Sequence, residues 1–404
     1  MKPYEKFVEN ILGAVRSGQG KDPAAATALI LETLTAAGLM GAGASASPSA
    51  APAPDKAASF VDLNPPPAWG PKARQHAARG DASDTSDTSD TSDTTGAAGT
   101  GMRDWMARFA SKLPGQVAGR ATVVDPATHG PGQFLEGSFT NEAGTRNYRL
   151  YMPSKPATGP RPLVVMLHGC KQNPADFAAG TTMNLLAEES GCLVLYPEQA
   201  AGANHSQCWN WFEGAHQQRD QGEPSLIAGM TRQVLRQHGG DAGKVYVAGL
   251  SAGGAMAAVM ASAYPELYAA VGVHSGLPVG SAHDLMSALN AMKGAGKKKG
   301  KAASSARPVP AIVFHGDRDA IVHPGNGDTV YRQFTHGAVA KETEERGSGH
   351  TKTVALDADG RTVAEHWKLH GAGHAWSGGS AAGSYAEPSG PNASAEMLRF
   401  FLSR

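Results

Sequence analysis

Cysteine is scarce in this chain, with three residues among 404. That is too few for a disulfide framework, and their spacing is not that of a zinc ribbon. An excess of either charge is missing as well, because 36 Lys plus Arg balance 36 Asp plus Glu. Nothing in that balance calls for a nucleic-acid or membrane-surface partner. No apolar run approaches the roughly 20 residues that cross a bilayer, which argues against an integral membrane protein. The start, Met1-Lys-Pro-Tyr-Glu-Lys-Phe7, shows no apolar stretch after its charges. An ordinary secretory signal peptide is therefore not expected, and localisation stays open. Gly and Pro, by contrast, are plentiful at 50 and 26 residues. The length allows two or three domains, or one α/β domain with a long tail.

The composition divides the chain. Residues 1–40 read as a short helical head: Phe7, Ile11, Leu12 and Val15 fall at the spacing of one helical face, and Asp22-Pro23 is the expected start of a second short helix. Residues 41–120 are dominated by Ala, Pro, Gly, Ser, Thr and Asp, with tandem Ser-Asp-Thr repeats over 83–94. Such a stretch buries too little apolar surface to offset its ordering entropy and reads as a flexible linker. The repeats read as a solvated spacer rather than a phosphorylation or metal-binding tract.

Residues 121–404 have the texture of a folded domain. A hairpin is expected from Phe134–Phe139 and Arg146–Met152 around a turn at Asn141. Buried strands follow at 162–168, 192–196, 244–249, 268–274 and 311–315. Helices are expected at 175–190, 223–237, 252–263 and 325–335. Strands near 352–356 and 363–369 and an apolar helix with Met397, Leu398, Phe400 and Phe401 complete the chain. Apolar strands alternating with helices imply an α/β fold whose mostly parallel sheet carries helices on both faces. Residues 282–307, with Lys293 and Lys297-Lys-Lys-Gly-Lys301, read as a lysine-rich solvated loop insertion rather than a polyanion site.

The central motif is Gly249-Leu250-Ser251-Ala252-Gly253-Gly254, placed between a buried strand and a helix. A nucleophile on so sharp a turn needs small neighbours at ±2, and the helix following it favours negative charge at its start. The other reading is a glycine-rich turn with a capping serine. A serine hydroxyl also needs a base, and the base needs an orienting acid. In α/β-hydrolases these follow in the order serine, acid, histidine. His315-Gly-Asp317-Arg-Asp319 lies past a strand end; Asp319 is the expected acid and Asp317 the alternative. Among 15 His, including His168, His315, His350 and His370, only His374 is late enough and on a loop beyond a strand. The oxyanion would be held by the backbone N–H of Ala252 and of Cys170, with Gly169 as the second choice for the latter.

Five segments in order carry a resemblance: His168-Gly-Cys170-Lys-Gln172, Cys208-Trp-Asn-Trp-Phe212, Gly249–Gly254, His315–Asp319 and Gly373-His-Ala-Trp-Ser-Gly-Gly379. Together, over about residues 130–404, they resemble the poly(3-hydroxybutyrate) depolymerase family of esterases, which is similar to bacterial feruloyl and acetylxylan esterases. The resemblance implies an α/β-hydrolase fold and a triad of Ser251, Asp319 and His374, with no metal and no cofactor. It implies that Trp209, Trp211 and Trp376, with His168 beside the oxyanion loop, line or support the substrate cleft; for the tryptophans, core packing is the other reading. It also suggests a Cys170–Cys208 disulfide, leaving Cys192 as a buried thiol. A disulfide would need an oxidising compartment. The family's secreted depolymerases carry an extra C-terminal substrate-binding domain, whereas one helix follows the catalytic loop here, so soluble oligomers or simple esters are the expected substrates. Three functions are weighed, in order: a hydroxyalkanoate polymer or oligomer esterase, a feruloyl or acetylxylan-type carbohydrate esterase, and a non-catalytic binding protein on a hydrolase fold. Oligomeric state is not readable from the sequence.

Overall fold

The computed structural model describes residues 130–295, 309–335 and 339–404. The head and linker expected over 1–120 and the lysine cluster of 297–301 lie outside the described residues.

The hairpin forms from β1 (Gln133–Asn141) and β2 (Gly144–Met152). Then come β3 (Arg161–Leu167), α1 (Pro174–Thr181), α2 (Met183–Ser190), β4 (Leu193–Pro197), α3 (Gly222–Gln237), β5 (Gly240–Leu250) and α4 (Ala252–Ala263). The second half holds β6 (Ala270–His274), α5 (Leu285–Met292), β7 (Ala311–Gly316), α6 (Gly325–Thr335), β8 (Lys341–Gly347), β9 (His350–Leu356) and β10 (Thr362–Leu369). A two-residue pair, β11 (Trp376–Ser377) and β12 (Ala386–Glu387), precedes α7 (Ala393–Leu402). The main sheet runs β1-β2-β4-β3-β5-β6-β7-β10-β9-β8. From β4 to β10 each neighbouring pair is parallel, and antiparallel strands close both edges. The α/β architecture is the one expected.

Alternation along β3 builds the two layers. Leu163, Val165 and Leu167 face one core with Ile227, Met230 and Val234 of α3 and Ala255 and Val259 of α4. Val164 and Met166 face the other core with Phe177 of α1 and Met397, Phe400 and Phe401 of α7. The β10–β9–β8 edge ends on Lys341–Gly347, a strand of mostly charged and exposed side chains. Charge of that kind discourages further strand addition at an edge.

Two expectations need correction. The helix read as continuous over 175–190 is broken at Thr182, which sits at φ 54 between α1 and α2. The cause lies in its carbonyls: Gly180 O accepts Ser380 N–H at 2.8 Å and Thr181 O accepts the Ser394 hydroxyl at 2.6 Å. Those bonds draw both carbonyls away from continued helical pairing. Likewise, the stretch from 282 is no simple loop, because Leu285–Met292 is helical. Asp284 caps it by accepting Ser287 N–H at 2.7 Å, with the Ser287 side chain completing a capping box.

Candidate active site

β5 delivers Ser251 to the carboxyl end of the sheet, where the chain turns directly into α4. Ser251 holds φ 58 and ψ −119, outside the ordinary regions for a residue with a side chain. Its N–H is tied to His274 O at 2.9 Å. The turn demands its glycines: a Cβ at Gly253 would overlap the Leu167 carbonyl oxygen, and one at Gly249 would overlap the Gly253 backbone. Ala252 is the first residue of α4, so its N–H has no intrahelical acceptor and points where negative charge would gather.

The loop after β7 brings in Asp319, which is buried. Its Oδ1 accepts the N–H groups of Ile321 and Val322, each at 2.9 Å, while Oδ2 accepts His374 Nδ1–H at 2.7 Å. His315 Nε2 donates to Val322 O at 2.9 Å and lies 3.4 Å from Asp319 Oδ2. Burial disfavours the charged carboxylate, but the His315 and His374 contacts outweigh it and hold the carboxyl well below the usual range. Asp317 faces elsewhere. It accepts His370 Nδ1 at 3.1 Å and Gly371 N–H at 2.7 Å, pinning the chain that leads to His374. With Nδ1 committed to Asp319, His374 keeps Nε2 for the serine, and both residues line one cavity. No hydrogen bond joins Ser251 and His374, a contact that in such sites often tightens only in the substrate complex.

The loop after β3 supplies the opposite wall. Gly169 N–H is taken by Gln172 Oε1 at 2.9 Å, which removes the second-choice oxyanion donor and favours Cys170 N–H. Gln172 is fixed in turn, its Nε2 donating to Asp176 Oδ2 at 3.0 Å and Ser384 O at 2.9 Å. Cys170 and Cys208 form a disulfide, and Lys171 N–H donates to Ser206 O at 2.8 Å. Cys192 is free and buried.

Residues 146–355 match the family model described as esterase PHB depolymerase. The chain belongs to this family. Among curated relatives, it is 33% identical over 248 residues to poly(3-hydroxyalkanoate) depolymerase C of Paucimonas lemoignei, covering 58% of this chain and 59% of that one. It is 30% identical over 241 residues to a probable acetylxylan esterase A of Aspergillus fumigatus, covering 56% and 62%. The chain thus spans about three fifths of the length of these relatives. A solved acetyl xylan esterase from Aspergillus awamori aligns at TM-score 0.51 and 23% identity, covering 59% of this chain and 94% of that one. That likeness supports the α/β-hydrolase fold.

Within this esterase PHB depolymerase domain, only one of the four expected cleft residues lines the cavity: Trp211, beside Phe212. His168 is fully buried, accepting Gln199 N–H on Nε2 at 3.1 Å, with Nδ1 against Gly169 O at 2.8 Å. Burial pushes its pKa down to about 4, so it stays neutral. Trp209 is also fully buried and donates from Nε1 to His168 O at 3.1 Å. Trp376 packs on Phe177 and stacks on His274, donating from Nε1 to Ser394 Oγ at 3.0 Å. For these three, core support is what the structure shows, because the indoles find their partners inside.

Three groups of supporting residues escaped the sequence reading. Glu223, fully buried, accepts Asn210 N–H at 2.8 Å, Asn210 Nδ2 at 2.7 Å and Gln199 Nε2 at 2.5 Å, fixing the segment around Trp211. His274 links the nucleophile to the histidine loop: its carbonyl holds Ser251 N–H, and its Nε2 accepts Ser377 N–H at 3.1 Å. The third group is the face of α5 with Leu285, Ala288, Leu289 and Met292, which walls the cavity. Only this last group had a readable signal, in its helical spacing.

Proposed function

We propose that the protein is a serine carboxylic-ester hydrolase acting on polyhydroxyalkanoate polymer or oligomer esters, of 3-hydroxybutyrate type, through an acyl-enzyme. The observation that carries this is the Asp319–His374 pair at 2.7 Å facing the cavity that holds Ser251 on its strained turn. His374, oriented by Asp319, takes the Ser251 proton as the hydroxyl oxygen attacks the ester carbonyl. The N–H groups of Ala252 and Cys170 hold the tetrahedral oxyanion. The alcohol leaves with the proton from His374, and water then hydrolyses the acyl-serine by the same transfers in reverse. Ser251→Ala is expected to abolish hydrolysis of a short p-nitrophenyl ester while circular dichroism stays that of the parent; unchanged turnover would remove the assignment.

A second reading is a carbohydrate esterase, favoured by the relatives named acetylxylan esterase A. Assays on 3-hydroxybutyrate oligomers, methyl ferulate and acetylated xylan, run side by side, separate the two. Higher kcat/KM on the oligomers supports the first reading, and higher kcat/KM on either carbohydrate-type ester supports the second.

A further inference from the structure

The cavity beside Ser251 is unusual in what it lacks. It measures about 110 Å³, and among the described residues no Asp, Glu, Lys or Arg lines it. Ser251 and His374 belong to the chemistry proposed above. The Gln172 amide is spent on Gly169, Asp176 and Ser384. Ser206 and Tyr385 also line the cavity, and most of the remaining wall is apolar: Trp211, Phe212 and Ile321, with Leu285, Leu289 and Met292 of α5. Positions 285, 288, 289 and 292 recur at the spacing of one helical face, so α5 presents a continuous apolar wall.

We propose that this cavity is an acyl pocket for a largely apolar acyl chain longer than acetyl, the four-carbon unit of a 3-hydroxybutyrate ester included, with α5 as the wall that sets chain length. The proposal rests on the esterase reading and deepens it. A sugar ring here would lose water from its hydroxyls and meet few polar side chains among the described residues, Ser206 and Tyr385 being two of them. Methylenes lose nothing by entering. In the reaction, Ser251 Oγ forms the new bond to the acyl carbon while the ester C–O bond breaks. The alcohol departs with the serine proton relayed by His374, and the aliphatic chain stays in the pocket as the acyl-serine.

The wall is built in place. At its start α5 is capped by Asp284. At its end, Met292 O accepts His323 N–H at 2.7 Å and Ala291 O accepts Asn326 Nδ2–H at 2.9 Å. Both partners follow Asp319 on the acid loop and its helix, so α5 and the acid are positioned by one segment. A preformed wall gives a sharp length limit.

The test measures kcat/KM for p-nitrophenyl acetate, butyrate, hexanoate and octanoate, and for ethyl, butyl and hexyl acetate. Full burial of one methylene is worth up to about fourfold, so hexanoate should exceed acetate by at least about tenfold. Leu289→Trp and Met292→Trp should each lower the hexanoate-to-acetate ratio by about tenfold or more and leave the hexyl-to-ethyl ratio of the acetates unchanged. Should the tryptophan variants fail to fold, Leu289→Ala and Met292→Ala should move the preference toward octanoate. A parent enzyme that prefers acetate overturns the proposal. So do ratios that no variant moves, or a response confined to the alcohol series. Loss of all ester hydrolysis in the parent, with no phosphonate labelling of Ser251, would instead overturn the esterase reading beneath it.

Discussion

The loop after β7 and the loop after β3 both bring groups to Ser251, but by different means. The first is held by hydrogen bonds alone, with Asp319 gathering Ile321 N–H, Val322 N–H and His374 on its two oxygens. The second is held by the Cys170–Cys208 disulfide and by the Gln172 amide. In the proposed mechanism the contrast follows from what each loop would have to do. An acid must keep a charge in a buried place, which only convergent donors can sustain. An oxyanion donor is a neutral backbone N–H that needs position, and a covalent tie supplies position without charge.

The largest expected effect breaks the first loop. Asp319→Asn should lower kcat by about 10⁴, the loss typical when the orienting carboxylate of a triad is neutralised. Asp317→Asn should cost less than about tenfold, since that carboxylate grips His370 and Gly371 rather than His374. Steady-state kinetics on one p-nitrophenyl ester decides it, and equal losses would void the distinction between the two carboxylates. Breaking the second loop should cost less. The Cys170→Ser/Cys208→Ser double variant should lose about 10–10² in kcat, below the ~10²–10³ ceiling for losing a whole oxyanion donor. Dithiothreitol should mimic it in the parent, and full activity after verified reduction would dismiss the disulfide's part. Smaller again is Gln172→Ala, which should reduce kcat by about tenfold with KM nearly unchanged, because Gly169 N–H then loses its partner. A rise in KM alone would make Gln172 a substrate contact instead.

How much of this was legible in the sequence depends on where the information sits. Ser251 was readable because its turn needs Gly249 and Gly253, a local requirement. Asp319 and His374 were readable because strand ends place them, and strands announce themselves by apolar runs such as Ala311–Phe314. The α5 wall was hidden by composition: its lysine-rich sequel drew the whole stretch into a loop reading, although Asp284 and Ser287 form a capping box. β8 was hidden because its Lys-Glu-Thr-Glu-Glu-Arg pattern has the charge of an edge and little intrinsic strand preference. Trp209 and Trp376 show the other limit. A tryptophan in a motif can line a cleft or brace it, and only its partners, His168 O and Ser394 Oγ, tell which.

The comparison sharpens further with pH, because the loop after β3 and the segment that carries His374 each rest on a buried neutral histidine. On the oxyanion side His168 accepts Gln199 N–H; on the base side His274 accepts Ser377 N–H. Burial lowers His168 to about 4; burial, then the nearby His315 and His374, lowers His274 to about 3. An unfolded histidine takes its proton near pH 6.5. Between that pH and the folded values, the unfolded chain binds more protons, so stability is full above about 6.5 and falls as pH drops. The depressed Asp319 carboxyl acts later, its contribution lost only below about pH 4. From pH 6.5 to 5 each histidine should remove roughly 2 kcal/mol, about 4–8 °C in Tm for a domain of this size. His168→Gln and His274→Gln should each flatten the Tm curve over that interval, whatever they do to Tm at pH 7. Thermal unfolding followed by circular dichroism at pH 7, 6.5, 6, 5.5 and 5 measures it. Curves parallel to the parent's in both variants would mean that these imidazoles take up protons alike in the folded and unfolded chains, and that neither loop rests on a ring held neutral by burial.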